Sequence, residues 1–136
     1  MSEKKSIAVV GSGYWGKNLV RNFDNIGVLK TICDKNEIVL NNFQEQYPEV
    51  QTCFALNDIL SDSQIQGIAI ATPAETHYTL AREALLAGKH VYVETPLAHD
   101  VWEVRQLARL AARTGVVTQM GNERHSGPGI RRAVEM

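Results

Sequence analysis

Three glycines near the N-terminus have the spacing that most clearly indicates chemistry. Gly11, Gly13 and Gly16 form the pattern G-x-G-x-x-G directly after a short apolar run, and Asp34 follows them. In a strand-turn-helix unit the first glycine makes a tight turn, the second lets backbone approach a pyrophosphate, and the third lets the helix pack close to the strand. The pattern therefore predicts a site for a dinucleotide.

The turn between these glycines supplies the rest of the predicted phosphate site. A pyrophosphate bound at a helix N-terminus meets free N–H groups and the positive end of the helix dipole, so no basic side chain is required. Ser12, Tyr14 and Trp15 lie in the same turn. Trp15 could cover the pyrophosphate, but packing beneath the turn is the favoured interpretation.

Asp34 lies at the end of a second predicted strand, close to the roughly 20-residue spacing at which a carboxylate binds the adenosine ribose hydroxyls. That carboxylate would repel a 2′-phosphate, which favours NAD over NADP, although the adjacent Lys35 could soften the discrimination. The alternative is a solvated turn residue or a helix N-cap before Asn36. The strand, the glycines and the spacing together favour ribose binding.

Composition is consistent with one domain over residues 1–136. The chain has 136 residues, a hydrophobic content of 44% and a net charge of -1, so nothing in it indicates nucleic acid or an anionic membrane surface as a partner. No export signal or membrane span is evident, which predicts a cytoplasmic protein. Cys33 and Cys53 are expected to be buried thiols, with no disulfide and no metal site.

Apolar runs alternate with helical patterns at the spacing typical of a parallel sheet whose strands are connected by helices. This alternation predicts an α/β fold, a doubly wound and mostly parallel six-stranded sheet of the Rossmann type. Asp100 is a plausible N-cap for the fifth helix, and Thr114-Gly115 ends it. The predicted strands end at Val10, Cys33, Phe54, Ala71, Val93 and Met120.

Three segments recur together in a known family: A-T-P-A-E-T-H from Ala71, A-L-L-A-G-K-H-V from Ala84, and E-T-P-L-A from Glu94. With them the chain resembles the Gfo/Idh/MocA oxidoreductases. The run G-S-G-Y-W-G-K-N-L-V-R-N-F from Gly11 is similar to the nucleotide-sugar dehydrogenases of that family. The resemblance implies NAD(P) in an N-terminal Rossmann domain, and hydride transfer between a sugar or cyclitol carbon and the nicotinamide C4.

The same resemblance implies further cofactor-binding residues. Ala71, Thr72, Pro73 and His77 match the loop beneath the cofactor, and Glu94 matches the acidic residue of the E-K-P motif. For His77, capping or a carbonyl hydrogen bond is an equally weighted alternative. The positions of these two loops are also consistent with cofactor binding, because they follow predicted strands and ligands of doubly wound sheets bind beyond the carboxyl ends of the strands.

Two departures from the family bear on catalysis. Thr95 stands where the E-K-P motif has lysine, so it supplies no positive charge where an alkoxide develops before hydride leaves, and no residue is assigned a catalytic role. The family also continues into a larger substrate domain, whereas residues 127–136 resemble only the start of the connecting helix. His125 is interpreted as an ordinary loop residue. We therefore expect an isolated or truncated domain with poor turnover, which associates with itself through the face left by the missing domain.

Residue usage changes near position 98, where lysine gives way to arginine. A recombination joint in an engineered chain and a natural lineage that mixes these features both account for the change. Two other functions stay open at this point. One is an S-adenosylmethionine-binding domain, which the glycine spacing disfavours, and the other is a folding or assembly unit that binds no ligand.

Overall fold

A computed structural model describes residues 6–122 and 127–135, and within them the chain forms six strands and six helices. The strands are β1 Ile7–Val10, β2 Leu29–Cys33, β3 Gln51–Cys53, β4 Gly67–Ile70, β5 His90–Val93 and β6 Thr118–Met120. The helices are α1 Gly16–Asn25, α2 Glu37–Gln46, α3 Leu56–Ser61, α4 Ala74–Leu86, α5 Val101–Thr114 and α6 Pro128–Val134. The predicted position of His125 lies outside the described residues.

All six strands belong to one parallel sheet in the order β3-β2-β1-β4-β5-β6. The chain builds outward from β1 in one direction and from β4 in the other, so the predicted doubly wound α/β fold is confirmed. The order reverses between β1 and β4, and ligands of such sheets bind beyond the carboxyl ends of the strands at that point.

The central strands are apolar throughout because both faces of the sheet are covered. On one face Ala8 and Val10 of β1 belong to a core cluster that also contains residues of α3, α4 and α5. On the other face Val9 belongs to a second cluster that also contains residues of α1 and α2. The alternation of Ala8, Val9 and Val10 between the two cores fixes the register of β1.

Side-chain caps define two helix starts. The sequence pattern predicts the second helix over Asn36 to Gln46, but the Asn36 side chain accepts hydrogen bonds from the backbone N–H groups of Ile38 and Val39, at 3.0 and 3.3 Å. Asn36 is therefore the N-cap of α2, which begins at Glu37. Asp100 caps α5 as predicted, because it accepts from Glu103 N at 2.8 Å. Gly115 ends α5 in a left-handed conformation with φ of 70°, the usual role of glycine after a helix.

The observed strands are slightly shorter than predicted. β3 ends at Cys53 and leaves Phe54 outside it, and β4 ends at Ile70. The apolar run from Val116 to Met120 predicts the sixth strand, and β6 begins two residues later, at Thr118. In the part of the chain that the structure describes, β6 is an edge strand of 3 residues that pairs with β5. Among the described residues, no helix has both the length and the apolar character needed to cross a membrane.

Lys89 is a buried charge that joins two connecting segments. Its side chain is 7% exposed, and its Nζ donates hydrogen bonds to the carbonyl oxygens of Asp62 and Ile65, both at 2.7 Å. A buried ammonium is tolerated only when its donors are satisfied. Lys89 therefore fixes the chain between α3 and β4 against the start of β5.

Replacing Lys89 with methionine should destabilise the fold. The substitution keeps the aliphatic stem but removes the donor to two carbonyls, which predicts a loss of about 2–4 kcal/mol in the free energy of unfolding. Urea unfolding followed by circular dichroism measures it. Lys17→Met, which removes an exposed lysine from α1, is the control. Equal stabilities of the two variants would contradict the role assigned to Lys89.

Candidate functional site

The glycine-rich turn after β1 lies against the loop after β4. Gly11 has φ of +84°, and a Cβ there would lie 2.8 Å from the carbonyl oxygen of Ala71 and 2.7 Å from Cγ2 of Thr72. Both the conformation and the close approach require glycine. The first predicted site segment and the Ala71 to Pro73 segment therefore meet directly.

The other two glycines of the motif have different surroundings. A Cβ on Gly16 would overlap the carbonyl oxygen of Gly11, whereas a Cβ on Gly13 would find no atom within 4 Å. Gly16 is thus required by packing inside the protein. Gly13 faces open space in front of the N-terminus of α1, where no described side chain caps the helix. This is the geometry expected for a phosphate site at a helix N-terminus.

Asp34 is tied to this turn by hydrogen bonds. Its Oδ2 accepts from both the N–H and the hydroxyl of Ser12, each at 2.8 Å, and its Oδ1 accepts from Asn36 N at 3.0 Å. Burial acts to raise the pKa of Asp34, but the hydrogen bonds from Ser12, Asn36 and Lys35 outweigh burial and lower that pKa below 3.8. The carboxylate is therefore held ionised and oriented at the end of β2.

A cavity of about 630 Å³ lies between these segments. It brings Gly11, Gly13 and Asp34 together with Ala71, Thr72 and Pro73 of the loop after β4, and so joins six of the thirteen predicted cofactor-binding residues. Its walls are formed by Val10, Gly11, Gly13, Cys33, Asp34, Lys35, Phe54, Leu56, Ala71, Thr72, Pro73, Glu75, Thr76, Thr79 and Leu80.

Sequence reasoning missed the outer walls of this cavity. Phe54, 58% exposed, lines one side just after β3. Thr76, Thr79 and Leu80 line another side from the first two turns of α4. Their spacing of three and four residues places them on one helix face, which is the signal that could have identified them. An exposed aromatic ring at the wall of a cavity offers a surface on which a planar ring can stack.

His77 lies behind the loop and does not line the cavity. Its side chain is 1% exposed, and its two ring nitrogens contact the carbonyl oxygens of Thr72 and Pro96 at 2.7 and 2.6 Å. A neutral imidazole carries one N–H and so donates to one of these carbonyls, whereas both accept when the ring carries two protons. His77 thus joins the loop after β4 to the loop after β5.

Glu94 follows β5 and is positioned by two residues that the motifs did not indicate. Tyr92 donates its hydroxyl to Glu94 Oε1 at 3.1 Å. A Cβ on Gly121 would lie 2.5 Å from the Tyr92 hydroxyl and 2.8 Å from Glu94 Oε2. Any larger residue at position 121 would therefore collide with this hydrogen-bonded pair. Thr95 follows Glu94, is exposed and precedes a cis peptide bond to Pro96. Neither Glu94 nor Thr95 lines the cavity.

Tyr14 and Trp15 stand at the surface of the turn. They are 73% and 53% exposed, and their rings meet edge to face with centroids 5.1 Å apart. The favoured packing of Trp15 beneath the turn is therefore wrong, because about half of the side chain is exposed and its ring contacts the exposed Tyr14. Within the described ranges, no group of three or more His, Cys, Asp or Glu side chains could hold a metal ion.

The fold and the site define a dinucleotide-binding domain of the Rossmann class. A family model described as "Oxidoreductase family, NAD-binding Rossmann fold" matches residues 5–122. The chain belongs to this Gfo/Idh/MocA family, as the sequence motifs predicted, and NAD is the cofactor class of its fold.

Curated relatives match this chain over part of their own length. A "Glycosyl hydrolase family 109 protein" from Shewanella sp. (strain W3-18-1) is 35% identical over 119 residues, covering 79% of this chain and 26% of the relative. "Glycosyl hydrolase family 109 protein 2" from Shewanella sp. (strain ANA-3) is 30% identical over 121 residues, with the same two coverages. The chain thus spans about a quarter of the length of these relatives.

A solved structure gives the same answer for the fold. The crystal structure of GenD2 from gentamicin A biosynthesis, in complex with NAD, has a TM-score of 0.91 and 31% identity to this chain. The match covers 99% of this chain and 39% of GenD2. The region that superposes includes every described element of the candidate site.

The glycines of the turn should separate folding from binding. Gly16→Ala drives a methyl group into the carbonyl oxygen of Gly11 and should cost about 1–3 kcal/mol in the free energy of unfolding. Gly13→Ala points into open space and should change it by about 0.5 kcal/mol or less. Urea unfolding of both variants measures the difference. A Gly13→Ala variant as unstable as Gly16→Ala would contradict the assigned packing.

The lowered pKa of Asp34 predicts a pH-dependent contribution to stability. The ionised carboxylate stabilises the fold above its unfolded pKa, and this stabilisation is lost as pH falls through the lower folded pKa. Wild type should therefore exceed Asp34→Asn in unfolding free energy at neutral pH, and the gap should close below about pH 3.8. Unfolding at several pH values measures it, with Glu45→Gln on the surface of α2 as control. A gap that is constant with pH would contradict the assignment.

Proposed function

We propose that this chain holds NAD(H) as the cofactor-binding part of an oxidoreductase that transfers hydride between a carbon of a sugar or nucleotide sugar and the nicotinamide. The observation that carries the proposal is the cavity in which Gly11, Gly13 and an ionised Asp34 meet the loop after β4. Family membership supports the cofactor, and the sugar class rests on the motif resemblance and on the glycosyl hydrolase names of curated relatives.

The adenosine half is bound by the end of β2. The Asp34 carboxylate is oriented by hydrogen bonds from Ser12 and Asn36. The two ribose hydroxyls would donate to this carboxylate, one of them in place of the Ser12 hydroxyl at Oδ2, while the Ser12 N–H keeps the carboxylate oriented. Phe54 and the Thr79–Leu80 side of α4 would hold the adenine.

The preference for NAD over NADP follows from the same carboxylate. A 2′-phosphate brings two negative charges beside an Asp34 that hydrogen bonds hold ionised. Lys35 is exposed and lines the cavity, so it softens the repulsion without removing it. NADPH should bind more weakly than NADH.

The pyrophosphate and nicotinamide occupy the middle and the far end of the site. Gly13, at the N-terminus of α1, would hold the pyrophosphate, with Tyr14 and Trp15 beside it. The loop from Ala71 to Pro73, together with Glu94 and Thr95, would hold the nicotinamide. His77 acts as a positioning residue there, since it fixes the carbonyl groups of Thr72 and Pro96. NAD supplies hydride acceptance at the nicotinamide C4 when bound.

Catalysis by residues 1–136 alone should be poor. Thr95 offers a hydroxyl but no positive charge to an alkoxide that develops near the nicotinamide. Substrate groups and an acid or base must therefore come from elsewhere. A surface for such a partner, or for a second copy of this chain, is the side of the sheet at β5 and β6 that α1 and α2 leave open, where Val117 is 69% exposed.

Titration with NADH tests the proposal directly. Binding followed by nicotinamide fluorescence should saturate for wild type and weaken about 10–100-fold in Asp34→Ala, because two charge-assisted hydrogen bonds to the ribose are lost. Glu45→Ala removes an exposed carboxylate from α2 and should bind like wild type. NADPH should bind wild type more weakly than NADH, and this difference should shrink in Asp34→Ala.

Two outcomes would contradict the proposal. S-adenosylmethionine that binds and displaces NADH, or binds where NADH does not, would indicate the other nucleotide class. A folded chain that binds neither ligand would mean that the glycine turn serves the architecture alone. Circular dichroism of each variant separates loss of binding from loss of fold.

A further inference from the structure

Cys33 and Cys53 stand side by side on neighbouring strands. They are register partners in the parallel pair β2–β3, and both contribute to the same core cluster, so their side chains lie on one face of the sheet. Neighbouring strands are about 4.8 Å apart, within the roughly 4.4–6.8 Å between Cα atoms of disulfide-bonded cysteines. The backbone therefore already holds the two residues at a bonding separation.

The two thiols have unequal environments. Cys33 is 4% exposed, whereas Cys53 is partly exposed. A hydrogen bond with the Cys53 thiol, together with burial, raises the pKa of Cys33, and the same hydrogen bond lowers the pKa of Cys53. A more accessible thiol with greater thiolate character beside a buried one is the arrangement of an attacking and a resolving cysteine.

Each cysteine also opens on a different cavity. Cys53 lines a groove of about 450 Å³ with Asp58 and Gln51 at the β3 edge, which gives a small reagent access to its sulfur. Cys33 lines the cavity that contains Asp34. The pair therefore connects the outer edge of the sheet with the candidate ribose site.

We propose that Cys33 and Cys53 form a reversible disulfide in the presence of a low-molecular-weight disulfide, and that this bond weakens the dinucleotide site. The Cys53 thiolate attacks the external disulfide, forms a mixed disulfide and releases one small thiolate. The Cys33 sulfur then attacks the Cys53 sulfur and releases the second. Two protein thiols are oxidised, one external disulfide is reduced to two thiols, and the two protein protons end on those thiols.

The effect on the dinucleotide rests on the proposed function. A disulfide favours Cα atoms about 5.5–6 Å apart, wider than the strand spacing of about 4.8 Å, so the ends of β2 and β3 must shift relative to each other when the bond forms. Asp34 directly follows Cys33, and its N–H donates to the Cys53 carbonyl oxygen at 3.2 Å. The shift therefore displaces the carboxylate from Ser12 and from a bound ribose.

Oxidised glutathione is the probe that tests this inference. Intact-mass measurement under denaturing conditions should show the loss of two hydrogen atoms, reversed by dithiothreitol. Because the sequence contains 2 cysteines, an intramolecular disulfide identifies the pair without ambiguity. The oxidised protein should bind NADH about five-fold to ten-fold more weakly than the reduced protein.

Cys53→Ser is the matched control, since it keeps Cys33 in the cavity wall and removes its partner. This variant should form no intramolecular disulfide and should keep its NADH affinity after the oxidant is removed by gel filtration. A wild-type chain that carries only glutathione adducts, or stays fully reduced, overturns the disulfide. A disulfide that leaves NADH affinity unchanged overturns its link to the site. Failure of the reduced protein to bind NADH counts against the proposed function, while the mass result still decides whether the disulfide forms.

Discussion

The structure depends on a close backbone contact in which the carbonyl oxygen of Gly11 occupies the space that a side chain on Gly16 would fill. This contact sets the distance between β1 and α1, and it presses the turn against Ala71 and Thr72 after β4. β1, α1 and the loop after β4 lie on both sides of the strand-order reversal. Their relative positions are fixed where glycines let the backbone approach closely. The cavity at the carboxyl ends of the strands has its shape because these backbones can approach so closely.

The same turn extends its influence to the end of β2. The N–H and hydroxyl of Ser12 both donate to Asp34 Oδ2, so the residue between the first two glycines orients this carboxylate. Asp34 N in turn donates to the Cys53 carbonyl oxygen. The glycine-rich turn, Asp34 and β3 thus form one chain of hydrogen bonds, through which a shift at β3 reaches the cavity.

Local patterns predicted the elements well because each is coded by neighbours in sequence. The buried strands, the Asp100 cap and the Gly115 stop follow from hydrophobic runs, short polar side chains and a left-handed glycine. The glycine spacing likewise predicted the turn and the approach of Asp34 to it. Phe54, the bridging role of His77 and the Tyr92 support of Glu94 could not be predicted, because each depends on segments that meet only in the folded sheet. The position of Trp15 was mispredicted for the same reason, since its exposure depends on the folded turn.

The two ends of the proposed cofactor site differ in how they are built. At the proposed adenosine end, the turn after β1 packs on backbone atoms, and Ser12 and Asn36 hold the Asp34 carboxylate just beyond the carboxyl ends of β1 and β2. At the proposed nicotinamide end, His77 joins two loops through the carbonyls of Thr72 and Pro96, and Tyr92 supports Glu94. Under the proposed function, a threonine at position 95 would alter the chemistry at the second end and leave the adenosine contacts intact, because the two ends depend on different contacts.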